Sequence, residues 1–262
     1  MLHYIETGTG PAVVLLHAFP MDSALWAAQR RPVGQAGYRV ITPDLPGFGG
    51  SALPAGAPSL DVVADEVAGL LDHLELERAI VGGLSMGGYV TMAMLRRHPD
   101  RLAGIVLADT KAPADAPQAA AARLAMAAEV EAAGSSVGIA DGMIPNLLGA
   151  TTRRTRPAVV EAVRRWIGAQ PASAVAWAQR AMAERPDSLP DLRGFGGPVL
   201  VLYGEEDAIS PASDAQAMAA AARAGGSPTS VMEIPGAGHL SAVEDPAAVS
   251  RALLGWLRTA AR

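Results

Sequence analysis

Residues 79–89 read Ala-Ile-Val-Gly-Gly-Leu-Ser-Met-Gly-Gly-Tyr, an apolar run that stops at Ser85 among glycines and then continues with helical spacing. Ile80 and Val81 read as the end of a buried strand, and 86–98 (MGGYVTMAMLRRH) carries apolar residues at helical intervals up to Pro99. Gly83-x-Ser85-x-Gly87 is therefore a G-x-S-x-G pentapeptide in a strand–turn–helix context, the setting in which it presents a nucleophile. The turn forces Ser85 into a strained backbone conformation, and a side chain at position 83 or 87 would collide with neighbouring backbone. An anion forming beside the serine would meet free backbone N–H groups and the positive end of a helix dipole. In a chain with 28 glycines the pentapeptide alone could arise by chance, so the surrounding chain decides its meaning.

Toward the N-terminus, LHYIE (2–6), a turn at 7–11 and AVVLLH (12–17) read as strand, turn, strand. The continuous apolar run 13–16 suits a strand covered on both faces of a parallel sheet. An amphipathic helix is expected over 21–35, a strand at YRVIT (38–42), a loop at PDLPGFGGS (43–51), and a helix over 60–74 with Ser59 as N-cap and Asp61 in its first turn. Beyond the serine, LAGIVL (102–107) is another buried strand. From about Pro113 to Pro190 strand-like runs cease, and helices are expected over 114–133, 139–148, 158–169 and 173–185. Alternation resumes with PVLVLY (198–203), a helix over 212–224, a strand over 230–234 and a closing helix over 246–259. This order predicts an α/β fold: a doubly wound, mostly parallel sheet formed by 1–112 and 191–262, with a helical cap subdomain inserted at 113–190.

Composition removes several classes of function. The chain has no cysteine, which excludes disulfides, thiolate metal sites and a cysteine nucleophile. A net charge of −5, with Lys111 as the single lysine, offers no basic footprint for nucleic acid. The N-terminus lacks a basic region followed by an apolar core, so no signal peptide is expected and a cytoplasmic location fits. The longest uncharged run, 79–95, is broken by glycines, a serine and a threonine and falls short of the roughly 20 apolar residues of a membrane span. Gly47-x-Gly49-x-x-Ala52 opens no helix, and neither a phosphate-binding G-x-x-x-x-G-K nor H-E-x-x-H occurs, so no cofactor and no metal are expected.

Ligand chemistry in open α/β sheets lies at the carboxyl ends of the strands. Ser85 occupies such a position, as do Asp207 in GEED (204–207) after the strand at 198–203 and His239 in PGAGH (235–239) after the strand at 230–234. A serine hydroxyl needs a histidine to take its proton, and the histidine needs a carboxylate to fix its tautomer and stabilise the imidazolium. The backbone N–H of Met86 and that of Phe19, in the loop after the strand at 13–16, are the expected oxyanion donors.

With HAFP (17–20), PDLPGFGGS, GLSMGG (83–88), GEED and GAGH (236–239) in that order, the chain resembles the α/β-hydrolase superfamily, in particular its small esterases, lactonases and cofactor-free haloperoxidase-like members. The resemblance covers nearly the whole chain. It implies an eight-stranded, mostly parallel sheet with a helical cap after the sixth strand; because this chain starts almost inside the second strand, seven or eight strands are expected. His17-Ala18 departs from the family's usual His-Gly. Met86 differs from the tryptophan that follows the nucleophile in the proline iminopeptidase branch, and Ser85 from the aspartate of haloalkane dehalogenases and epoxide hydrolases. The expected activity is hydrolysis of a small to medium, mainly apolar carboxylic ester or lactone through an acyl-enzyme. The same triad serves C–C bond hydrolysis of a diketone-type substrate or perhydrolysis, and a non-catalytic ligand-binding protein is the reading from a different class.

Asp109, at the end of the strand over 102–107, is the alternative triad acid. Asp44 is expected to hold its loop, His17 to order its own, and His3, His73 and His98 to be solvated or capping. Met143, Leu147, Trp166 and Trp177 are the candidate pocket residues in the cap; packing between helices is the competing reading for each.

Overall fold

Long apolar runs and half-polar ones divide the strands into interior and edge positions. A computed structural model describes residues 1–260. Its strands are β1 (Tyr4–Thr7), β2 (Ala12–Leu16), β3 (Arg39–Pro43), β4 (Ala79–Leu84), β5 (Leu102–Ala108), β6 (Val199–Gly204) and β7 (Thr229–Ile234). They form one seven-stranded sheet in the order β1-β3-β2-β4-β5-β6-β7. β1 lies antiparallel on β3, and every other pairing is parallel. β2 and β4 are buried along their whole length, whereas β1 and β7 at the two edges are largely half-exposed. Of the seven or eight strands expected, seven are found among the described residues, the first in sequence being the antiparallel edge.

The helices are α1 (Ala27–Gln35), α2 (Leu60–His73), α3 (Met86–Arg97), α4 (Pro117–Ala133), α5 (Ala140–Leu147), α6 (Ala150–Thr155), α7 (Pro157–Gly168), α8 (Ala172–Ala183), α9 (Leu189–Gly194), α10 (Ala212–Ala224), α11 (Ser241–Glu244) and α12 (Pro246–Ala260). α2 shows how they form. Ser59 accepts the Asp61 N–H as N-cap, and Leu60, Val63, Ala64, Val67, Leu70 and Leu71 recur every three or four residues as its buried stripe. Each large side chain of that stripe contributes about 1.5–3 kcal/mol on burial. α1, α11 and α12 pack together, while α2, α3, α9 and α10 form a second connected group, so helices flank the sheet as two separate layers.

The region expected to be one helix over 21–35 begins instead with a 3-10 turn, Ser23–Trp26, because Asp22 accepts the Ala24 N–H and Asp44 the Ser23 N–H before α1 can start. Between β5 and β6 there are six helices rather than the four expected. The additions are α6 and α9, both six residues long and too short for their periodicity to show. α9 packs on α3 and α10, with the sheet's own helices, although it straddles the expected boundary at 190. Among the described residues no helix is long and apolar enough to cross a membrane.

Candidate active site

Ser85 follows β4 and caps α3 with φ 54° and ψ −111°, a positive-φ region that an L-residue occupies only under constraint. The constraint is visible in its neighbours. Ser85 N–H donates to the Ala108 carbonyl at 2.9 Å, and Thr110 Oγ1 donates to the Ser85 carbonyl at 2.9 Å. A Cβ on Gly83 would fall 2.1 Å from the Gly87 carbonyl carbon, and one on Gly87 would fall 2.3 Å from the Leu16 oxygen. Glycine at both positions is therefore a steric requirement of the turn.

The loops after β6 and β7 bring two more side chains to the serine. His239 Nε2 lies 2.7 Å from Ser85 Oγ, and His239 Nδ1 lies 3.0 and 2.9 Å from the two carboxylate oxygens of Asp207. Both His239 and Asp207 are buried. Asp207 also accepts the N–H groups of Ile209 and Ser210 on Oδ1, and the Ser210 hydroxyl on Oδ2 at 2.7 Å. Burial alone would raise its pKa; the charge of His239 and the hydrogen bonds from His239 and Ser210 outweigh burial and hold the carboxyl below its ordinary value. An ionised partner of this kind fixes the imidazole with its proton on Nδ1 and leaves Nε2 free to accept from the serine.

Asp109, the alternative acid, faces other groups. It is fully buried at φ 44°, accepting the Gly204 and Ser241 N–H groups and the Ser241 hydroxyl. Burial, and next the charge of Asp207, push its carboxyl well above the ordinary range. Asp109 thus joins the end of β6 to the loop beyond His239, and the imidazole pairs with Asp207.

Met86 is the first residue of α3, so its N–H is among those that have no partner within the helix. Phe19 lies buried in the loop after β2 with its ring edge-on to Phe48, centroids 6.4 Å apart. His17 orders that loop as a neutral imidazole, with Nδ1 2.9 Å from the Ala18 carbonyl and Nε2 accepting the Leu45 N–H at 2.8 Å. Burial lowers its pKa, in keeping with that role. Asp44 accepts from Ser23 N–H and Gly50 N–H and so holds its loop as expected. The remaining histidines sit at the surface or at helix ends as expected: His3 is exposed with Nδ1 2.7 Å from Asp44, His98 caps the C-terminus of α3 with Nε2 2.7 Å from Asp65, and His73 is exposed in the last turn of α2.

A cavity of about 380 Å³ lies against the helical insert, lined by Met126, Ile139, Met143 and Leu147, with Glu129 and Asn146 as polar groups, and by Ile209 from the Asp207 loop. Met143 and Leu147 are thus placed together, and the other two candidates lie elsewhere. Trp166 donates its Nε1–H to Asp22 Oδ2 at 2.8 Å, with Gln170 Nε2 3.4 Å from the same oxygen, and so ties α7 to the segment after Phe19. Trp177 is buried beside a separate small void with Leu45, Phe48, Met86 and Val90, and its indole N–H has no protein partner among the described residues. The sequence reading also missed Ser210 and Glu244. Asp207-x-x-Ser210 has the look of an ordinary turn, and Glu244 sits where an exposed helical carboxylate would be expected.

The family described as alpha/beta hydrolase fold matches residues 11–246. The 3-oxoadipate enol-lactonase 2 of Acinetobacter baylyi is 28% identical over 261 residues, spanning 96% of this chain and 91% of the relative. A thermophilic esterase from Thermogutta terrifontis, solved with malate bound, superposes with a TM-score of 0.94 at 43% identity over 99% of this chain and 93% of its own. The enol-lactonase from Burkholderia xenovorans LB400 superposes with a TM-score of 0.88 at 27% identity, covering 98% of this chain and 96% of its own.

Proposed function

The chain belongs to the alpha/beta hydrolase family and is a hydrolase, and from that premise we propose that it cleaves a small to medium, mainly apolar carboxylic ester or lactone through an acyl-enzyme on Ser85. The observation that carries this reading is the continuous hydrogen-bonded path from Ser85 Oγ to His239 and on to Asp207, at 2.7 Å and 2.9 Å.

In the first half of the reaction His239 Nε2 takes the Ser85 proton as Oγ bonds to the substrate carbonyl carbon. The carbonyl oxygen becomes an oxyanion, which the N–H groups of Met86 and Phe19 stabilise, and Asp207 balances the imidazolium. Collapse breaks the carbon–oxygen bond, and His239 returns the proton to the departing alkoxide. In the second half a water molecule, deprotonated by the same nitrogen, attacks the acyl carbon and releases the acid and the serine. A lactone follows the same steps with acid and alcohol left on one molecule.

Residues 113–190 serve in this reading as a cap over the site. The esterase and enol-lactonase relatives support the ester or lactone bond, and this reading assigns the apolar part of the substrate to the cavity lined by Met126, Ile139, Met143, Leu147 and Ile209. The test is hydrolysis of p-nitrophenyl butyrate and of a simple γ-lactone by wild type and by Ser85→Ala. Turnover in the wild type that disappears in a folded variant is expected; turnover that survives Ser85→Ala overturns the assignment.

A further inference from the structure

Glu244 ends α11 five positions beyond His239, is fully buried, and has no part in the reaction derived above. Its Oε1 accepts the N–H groups of Gly238 at 2.9 Å and Leu240 at 3.2 Å, the two residues that flank His239. Its Oε2 accepts the N–H of Gly149 at 2.9 Å, from the junction of α5 and α6 in the insert. The backbone carbonyl of the same residue accepts from the guanidinium of Arg156, also in the insert.

The two backbones that share this carboxylate touch. A Cβ on Gly238 would fall 2.2 Å from Gly149 N, and a Cβ on Gly149 would fall 2.9 Å from Gly238 N. Leu240 N–H also lies 3.1 Å from the Leu147 carbonyl, and Leu147 lines the cavity of the insert. Hydrogen bonds from backbone N–H groups to a carboxylate are strong, and losing the acceptor leaves buried donors unsatisfied.

We propose that Glu244 is a positioning residue for the hydrolytic reaction: one carboxylate fixes the backbone on both sides of His239 and fastens it to the seat of the insert. This rests on His239 being the base of the reaction proposed above. The carboxylate touches neither substrate nor reacting atoms; it acts through the placement of Nε2 relative to Ser85 Oγ. Seating of the insert and placement of the base are therefore linked through the same group, and an insert lifted at Gly149 removes one of the contacts that steady the loop carrying the imidazole.

The experiment compares wild type, Glu244→Gln and Glu244→Asp, each checked for a cooperative melt, in steady-state ester hydrolysis and in the downfield proton NMR signal of His239 Nδ1–H. Gln keeps the shape but turns an NH₂ toward N–H donors; Asp keeps the charge but cannot span Gly149 and Gly238 together. Both are expected to lower kcat on the order of 100-fold, as for a catalytic group displaced by about 1 Å, with KM changed less than about threefold and the Nδ1–H signal broadened or lost. Wild-type kcat in Glu244→Gln, or full recovery in Glu244→Asp, overturns the proposal, as does loss of the melt in both variants, which would assign Glu244 to stability alone. A wild type with no Ser85-dependent ester hydrolysis sinks the proposed ester cleavage instead, and the NMR signal still reports whether Glu244 holds the imidazole.

Discussion

The turn at Ser85 and the loop at His239 meet at a 2.7 Å contact but are held in place by different means. The turn is fixed mainly by nearby backbone: Gly83 against Gly87, Gly87 against Leu16, and the Ser85 N–H on the adjacent strand β5. The loop is fixed mainly by side chains, by Asp207 on one side of the imidazole, by Asp109 through Ser241, and by Glu244 through its bonds to Gly238, Leu240 and Gly149. In the proposed reaction the nucleophile is thus held by backbone contacts, while the base is held by three carboxyl groups and the insert. Disturbing the turn should cost chemistry or folding outright, and disturbing the loop should give graded effects.

Ser85→Ala is the most severe way to probe that difference, with kcat expected to fall on the order of 10⁶-fold while the cooperative melt persists. Next comes Asp207→Asn, which leaves the loop's shape but lets the imidazole take the wrong tautomer; kcat should fall by about 10⁴-fold with little change in KM. A fall below about tenfold would mean that the imidazole does not depend on Asp207. Gly87→Ala tests the turn sterically. Its Cβ would meet the Leu16 oxygen at 2.3 Å, and because that atom is backbone of β2, a loss of about 3 kcal/mol in urea unfolding is expected.

The smallest effect belongs to Asp109 and concerns pH. Its carboxyl is raised well above 3.8 by burial and then by the charge of Asp207, so the folded chain binds this proton more tightly than the unfolded chain does. Its contribution to stability is complete below the ordinary carboxyl value and is lost as pH rises through the folded value. Asp109→Asn removes that titration. Urea melts between about pH 4.5 and pH 8 should show the stability difference moving in the variant's favour as pH rises, by at most about 1.4 kcal/mol per pH unit. A difference that stays flat or moves the other way would break the account of Asp109.

The same contrast explains what could be read in the chain. β2, β4, the Ser59 cap of α2 and the Ser85 turn follow from residues close in sequence, where apolar runs, a capping hydroxyl and paired glycines each have a local physical cause. Asp207 and His239 were legible because each follows a strand, and the sheet gathers strand ends at one edge. Glu244 and Ser210 carry no such mark, since their importance comes from partners that only the folded chain supplies. The pocket tryptophans show the limit most clearly: Trp166 and Trp177 are apolar residues in the right segment, but Asp22 captures one indole and Leu45, Phe48 and Met86 surround the other.

The bond between Trp166 and Asp22 has one more consequence. It crosses the seam between α7 and the segment that follows Phe19, and it joins a fluorophore to a carboxylate there. If the seam parts, that indole exchanges an anionic neighbour for water, and its emission changes without any added dye. In a chain whose other three tryptophans, Trp26, Trp177 and Trp256, are replaced, the emission of Trp166 therefore reports whether this one bond is made.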